Sequence, residues 1–153
     1  SQPKGRPLPE TPLVYVLSGP NLNLLGTREP EIYGHDTLND IHARLEAQAD
    51  RLGLPVECRQ TNHKGVLIDW LHEAWVRGAR AVLLNAGGYT HTSIAIHDAI
   101  RSIKVPVIEV HLSDPMQREP FRHVSYVGMA AAAHFAGHGA QSYTLALDAA
   151  ARL

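Results

Sequence analysis

A cation and a phenol stand five residues apart in Gly26-Thr-Arg-Glu-Pro-Glu-Ile-Tyr-Gly34, with a glycine at either end. Tyrosine with its ordinary pKa of ~10 is a poor base near neutrality, so Tyr33 needs a neighbouring cation such as Arg28 to stabilise its phenolate. Lowering that pKa by about two units takes ~2.7 kcal/mol; a unit charge at ~4 Å supplies ~1 kcal/mol in water but ~4 at an effective dielectric of ~20. One arginine therefore suffices only in a closed, dried site, and the pair reads as an acid/base couple on a mobile lid. The plainer reading of the same segment is a surface loop, with Arg28 in solvent and Tyr33 packed on the helix that follows. Downstream, Glu109 and His111 are two apart at the end of an apolar run, hence on one pleat face. A lone histidine there is ordinarily a hydrogen-bonded structural residue, but a carboxylate on the same face suggests that its tautomer is held for proton transfer. The segment Asn85-Ala-Gly-Gly-Tyr-Thr-His-Thr-Ser93 offers an amide, two glycines and hydroxyls at a helix start, which suits an anion or a polyol oxygen. Thr90 or Thr92 is expected to be the N-cap of that helix.

Other chemistries lack their residues. His91 and His97 are six apart, and no H-x-x-x-H pair or Cys–His cluster supports a zinc site. The sequence has no G-x-S-x-G elbow, no P-loop and no G-x-G-x-x-G after the first strand; Gly137-His-Gly139 alone is a weak match. Ser18, not an acidic residue, ends that strand, which disfavours a phosphoacceptor module. Lys4 lies in the opening segment, Lys64 opens a helix and Lys104 sits in a turn at the far end of the sheet, so Schiff-base chemistry has no nucleophile.

These residues require a scaffold. The chain has 153 residues, with 14 Lys+Arg against 15 Asp+Glu; the net charge of −1 excludes a nucleic-acid or membrane-surface role driven by bulk charge. Apolar residues make up 44% and charged ones 19%, enough for one core in one domain, expected over residues 13–153. The single Cys58 excludes an intrachain disulfide, and no run approaches the ~20 apolar residues of a membrane span, so the expected setting is the reducing cytoplasm. Residues 1–12 have a charged start without an apolar run and read as a flexible tail, not a signal peptide.

Short β-branched runs at Leu13–Ser18, Val56–Thr61, Ala81–Asn85 and Val105–His111, with a weaker one at Ala132–Ala136, read as strands. Between them, Leu38, Ile41, Leu45, Ala49 and Leu52 recur at helical spacing, with Thr37 as N-cap and Gly53 as stop. Further helices are marked by Leu67, Leu71, Ala74 and Gly78, by Ile94–Arg101 and by Gln141–Leu153. The stretch Gly19–Asp36 shows neither pattern and reads as a long loop. This βα alternation predicts one doubly wound α/β domain with a five-stranded parallel sheet, in the order 2-1-3-4-5 if the first and third strands flank a switch point. Ligands then bind beyond the carboxyl ends of the strands, where the polar segments collect.

Ser18-Gly-Pro-Asn-Leu-Asn-Leu-Leu-Gly-Thr-Arg-Glu-Pro-Glu-Ile-Tyr-Gly34 resembles the N-terminal signature of type II 3-dehydroquinate dehydratase. The resemblance continues through Arg59–His63, Asn85–Asp98, Ile108–Ser113 and Phe121–Tyr126, and spans roughly Leu13 to Leu147. It implies a cofactor-free lyase of flavodoxin-like fold, usually a dodecamer of trimers, that dehydrates 3-dehydroquinate to 3-dehydroshikimate by anti elimination through an enolate. It implies Tyr33 as the base with Arg28 stabilising the phenolate, Asn21 with a water on the enolate oxygen, and His111 as the acid held by Glu109. Asn85, His91 and Arg122 correspond to residues binding the substrate hydroxyls, Leu112 and Ser113 to those holding its carboxylate, and Asp98 to an acid reaching a neighbouring subunit's site. Biosynthetic and catabolic uses of the reaction are both open. Ser18 stands where the family commonly has Asn, Lys64 where an acid is frequent, and His134 and His138 at apolar positions. Asp114 replaces an Asn beside the expected carboxylate site, and weakens binding unless it turns away or pairs with Arg118 or Arg122. The competing reading is a non-catalytic flavodoxin-like module that binds a polyol acid or serves as an assembly subunit; it has no need of Tyr33 opposite His111.

Overall fold

A parallel strand buried on both faces is apolar along almost its whole length, and β1, Val14–Ser18, fits: it is buried throughout and only its last residue, Ser18, is a small polar one. Its side chains divide by parity. Val14 and Val16 join Ala81 and Leu83 of β3, Ala81–Asn85, in one core layer; Tyr15 and Leu17 join Val82 and Leu84 in the other. The computed structural model describes residues 12–27 and 29–153. The expected tail, apart from Pro12, and Arg28 lie outside the described residues.

With β2 (Val56–Gln60), β4 (Val107–Val110) and β5 (Ala133–Phe135), the sheet has the order β2-β1-β3-β4-β5, and all four pairings are parallel. The first core layer is covered by α2 (Leu38–Leu52) and α5 (Gln141–Ala151), the second by α3 (Lys64–Val76) and α4 (Ile94–Ser102). The α2 boundaries follow the sequence signals. Thr37 Oγ1 accepts from Asp40 N–H at 3.1 Å, Asp40 Oδ2 accepts from Thr37 N–H at 3.0 Å, and Gly53 closes the helix at φ 63°.

Four expectations need correction. The stretch Gly19–Asp36 is not without helix: Leu22–Leu24 forms a 3₁₀ turn and α1, Pro30–Tyr33, one α-helical turn. Pro30 presets the first helical φ and Gly34, at φ 87°, ends the turn, so Tyr33 stands on a helical turn. The N-cap of α4 is neither Thr90 nor Thr92 but Ser93, whose Oγ accepts from Ile96 N–H at 3.0 Å. Thr90 and His91 belong to the 3₁₀ segment Gly87–His91 instead. The fourth strand begins at Val107, two residues late, because Pro106 has no N–H for the ladder; its carbonyl still accepts from Val82 N–H at 3.0 Å. The last helix ends at Ala151, where Arg80 donates to the carbonyls of Ala151 and Leu153.

One glycine decides whether the strand ends can meet. A Cβ on Gly19, just past β1, would stand 2.8 Å from the carbonyl oxygen of Ala86, just past β3. Only glycine lets these two connections lie side by side at the switch point, and Gly19 N–H donates to Asn85 O at 2.8 Å there. No described helix is long and apolar enough to cross a membrane.

Candidate active site

The carboxyl ends of β1, β3 and β4 enclose a cavity of about 200 Å³. Each strand end contributes. From β1 come Pro20, Asn21 and Leu22, and from the one-turn helix α1 comes Tyr33; from β3 come Asn85, Gly87, Gly88 and His91. The β4 end supplies His111, Leu112 and Ser113, and the segment beyond it Pro115, Arg118 and Arg122. Nine of the eleven residues named from sequence thus divide cleanly. Eight, namely Asn21, Tyr33, Asn85, His91, His111, Leu112, Ser113 and Arg122, line the cavity, and Glu109 stands behind it. Asp98 is exposed on α4 and does not line this chain's own cavity. Arg28 lies outside the described residues.

Glu109 and His111 share a pleat face, as their spacing requires, and His111 Nε2 lies 2.7 Å from Glu109 Oε2. An ionised carboxylate can only accept, so Nε2 carries the hydrogen and Nδ1 is the nitrogen left to exchange a proton with the cavity. Burial alone would push the Glu109 carboxyl up, but the hydrogen bonds from His111 and Ser125 outweigh it and hold the group below its usual range. The Ser125 hydroxyl donates to the same oxygen at 2.5 Å and accepts from Gly128 N–H at 2.8 Å. Gly128 has to be glycine: a Cβ there would meet Glu109 Oε1 at 2.9 Å.

The two imidazoles at the cavity are set for different work. The ring of His91 lies nearly parallel to that of His111, with centroids 6.4 Å apart. Its Nδ1 is 2.8 Å from Val124 O, and a carbonyl only accepts, so Nδ1 carries the hydrogen. Burial lowers the His91 pKa, helped by the charges of His111 and Arg122 and opposed by the Val124 hydrogen bond. The neutral ring therefore keeps Nε2 as an acceptor for a donor hydroxyl.

On the opposite wall, Asn21 takes a left-handed backbone at φ 69°, which asparagine tolerates better than most residues, and its N–H donates to Asn62 Oδ1 at 3.0 Å. Asn62 is fixed in turn by Gln60 Nε2, 3.1 Å from the same oxygen, and by Tyr89 OH, 2.9 Å from its carbonyl.

Sequence reasoning missed Arg118 and Ser125 as site residues. The Arg118 guanidinium lies over the Tyr33 ring, 5.1 Å from its centroid, and Nη1 is 3.3 Å from Ser113 Oγ. No spacing signal could have found it, since it lies in an irregular segment; only its charge, already weighed as a partner for Asp114, was a hint. Glu119 sits between the two arginines, 2.8 Å from Arg122 Nε and 3.7 Å from Arg118 Nε. Among the described residues lining the cavity, two are guanidinium cations and none is acidic. Asp114 does turn away: its carboxylate caps the 3₁₀ turn Pro115–Gln117, accepting from Met116 N–H at 3.0 Å. The exposed positions of His134 on edge strand β5 and of His138 past it explain why neither disturbs packing.

The sequence model of the family described as "Dehydroquinase class II" matches residues 12–151. The chain belongs to the class II dehydroquinase family. It is 61% identical over 140 residues to the 3-dehydroquinate dehydratase of Hyphomonas neptunium, covering 92% of this chain and 93% of that one. It is 58% identical over 137 residues to that of Caulobacter vibrioides, covering 90% and 93%. The crystal structure of the type II dehydroquinase from Butyrivibrio crossotus superposes with a TM-score of 0.90 at 37% identity, covering 92% of this chain and 97% of that one. The fold of this class II dehydroquinase is accordingly the flavodoxin-like one that the strand order describes.

The Glu109 pair makes a prediction with a definite sign. A carboxyl whose pKa is lowered on folding contributes stability that is complete above its ordinary value near 4.5 and is lost as pH falls through the folded value. Urea denaturation of wild type and Glu109→Gln between about pH 7 and about pH 3 should show the wild-type advantage shrinking with acid. An advantage that stays constant over that range contradicts the pairing.

Proposed function

We propose that this class II dehydroquinase dehydrates 3-dehydroquinate to 3-dehydroshikimate without a cofactor, with Tyr33 as base and His111 as acid. The observation that carries the reading is that Tyr33 and His111 face one small cavity, with a guanidinium over the phenol ring and a carboxylate behind the imidazole.

The steps use groups already in place. The Tyr33 phenolate takes a proton from C2, and the electron pair moves onto the neighbouring ketone to give an enolate, whose oxygen Asn21 stabilises with a water. As the enolate collapses, the C1–O bond breaks and His111 Nδ1 gives its proton to the departing hydroxyl, so one water leaves. Glu109 keeps Nε2–H in place throughout, so that Nδ1 is the nitrogen that delivers the proton. Arg118 over the ring, and Arg28 in the role implied by the family, supply positive charge beside the base, and substrate filling the small cavity displaces the water that would screen it. Asn85, His91 and Arg122 hold the hydroxyls, and Leu112 and Ser113 the carboxylate. An acid-free wall bearing two arginines suits an anionic substrate.

Asp98 has no place in its own chain's cavity, which supports its reaching a neighbour's site in a homo-oligomer, a dodecamer built from trimers. Light scattering under assay conditions should then find active material far above the 16.7 kDa of one chain. Full activity in a 16.7 kDa species overturns the shared site.

The chemical test is the rise in ultraviolet absorbance as the conjugated enone forms from 3-dehydroquinate. Tyr33→Phe should lose about a thousandfold or more in kcat at every pH, because no nearby group replaces the base. Arg28→Ala and Arg118→Ala should keep weaker activity that rises with alkalinity, as hydroxide performs the deprotonation that the cation had favoured. Wild-type kcat in Tyr33→Phe would remove Tyr33 from the role of base, and arginine variants altered only in KM would remove the arginines from the role of stabilising its phenolate.

A further inference from the structure

Ser18 and Asn85 are Cα partners at the last positions of the neighbouring strands β1 and β3. Both continue the rows of Val14, Val16, Ala81 and Leu83, so their side chains point into the layer beneath α5, where Tyr143 is fully buried. The Tyr143 hydroxyl lies 3.1 Å from Asn85 Nδ2 and 2.9 Å from Ser18 Oγ. At its other end the Asn85 amide is held as well, Oδ1 accepting from Gly87 N–H at 3.2 Å.

The amide end of this chain of bonds has a fixed direction. An amide nitrogen only donates, so the phenol oxygen accepts from Asn85, while the Tyr143 and Ser18 hydroxyls share a hydrogen bond that either can donate. Burial pushes the phenol up to about 12, so it keeps its own hydrogen near neutrality. Rotating the amide by half a turn would set its NH₂ against the Gly87 N–H, donor against donor. The amide is thus locked in one orientation, with its second Nδ2 hydrogen and one Oδ1 lone pair left for the cavity that Asn85 lines.

We propose that Tyr143, seated on Ser18, is a positioning residue that fixes the Asn85 amide so that it reads a substrate hydroxyl as donor and acceptor at once. This deepens the dehydratase reading and rests on it. It also gives the serine at position 18 a task, since its short hydroxyl hydrogen-bonds the phenol inside the sheet layer. Tyr143 never touches substrate; the C-terminal helix acts on the site through Asn85.

The test is a double-mutant cycle on KM and kcat, with wild type, Tyr143→Phe, Asn85→Ala and the double variant, each shown folded by circular dichroism. Phenylalanine keeps the buried ring and removes only the oxygen. Tyr143→Phe should raise KM about tenfold with kcat little changed, the effect of losing one orienting hydrogen bond used in binding. In the Asn85→Ala background it should add nothing, and Ser18→Ala should raise KM by less than Tyr143→Phe. If Tyr143→Phe fails to fold, Ser18→Ala completes the same cycle. An unchanged KM, or an equal rise with and without Asn85, overturns the proposal, because a merely structural role does not depend on that amide. A wild type without turnover counts against the dehydratase reading alone. Crystal structures of wild type and Tyr143→Phe then decide the positioning claim, and an identical, equally ordered Asn85 amide in both overturns it.

Discussion

The carboxylate of Glu109 is 5% exposed in the body of the sheet, and much of the site exists to make that tolerable. Taking a carboxylate out of water costs several kcal/mol unless its lone pairs are met by good donors. His111 supplies one, Ser125 another, and Gly128 leaves the space that any side chain would take. The consequences run outward from there. Binding Nε2 to Glu109 leaves Nδ1 for the cavity, and drawing Ser125 to the same carboxylate anchors the segment whose carbonyls at Val124 and Tyr126 hold His91 and His97. A single buried charge thus sets the tautomer of one imidazole and the position of the wall that fixes the other.

The parallel sheet decides where all this happens. Because every strand runs the same way, every carboxyl end lies on one edge, and the polar residues that close each strand meet there. They arrive from both faces. Asn85 belongs to the layer of α2 and α5, whereas Glu109 continues the opposite face of β4, so the cavity draws on groups anchored in both core layers. Side chains anchored in two packed layers cannot drift independently, which is the rigidity a proton-transfer site needs. A further wall, α1 with Tyr33, is not made by a strand end, and that turn is braced by packing on the first core layer and by the guanidinium of Arg118 over its ring.

Much of this was legible in the sequence, and the reasons are local. Apolar residues at helical spacing and the Thr37 and Gly53 signals located α2 to the residue, since capping chemistry acts over three or four positions. The Glu109–His111 pair was readable because a period of two puts both side chains on one face. Arg118 was not, because an irregular segment gives no period from which to project a side chain back onto Tyr33. Ser125 stayed hidden for a similar reason, sixteen residues from the carboxylate it serves. Nothing in the spacing sets Tyr143 apart within its helix; only the meeting of α5 with two strand ends gives its hydroxyl partners. The α4 N-cap was misplaced because three hydroxyl residues stand within four positions, and the intervening 3₁₀ segment, not propensity, chose Ser93.

The central claim is that Tyr33 and His111 divide base and acid between two elements acting on opposite sides of one bound substrate. The most direct measurement uses 3-dehydroquinate carrying deuterium at C2 on one face or the other and follows the label by NMR during turnover. The account predicts loss of the deuterium opposite the C1 hydroxyl and retention of the one beside it. Loss of the deuterium on the same face as the hydroxyl would contradict it.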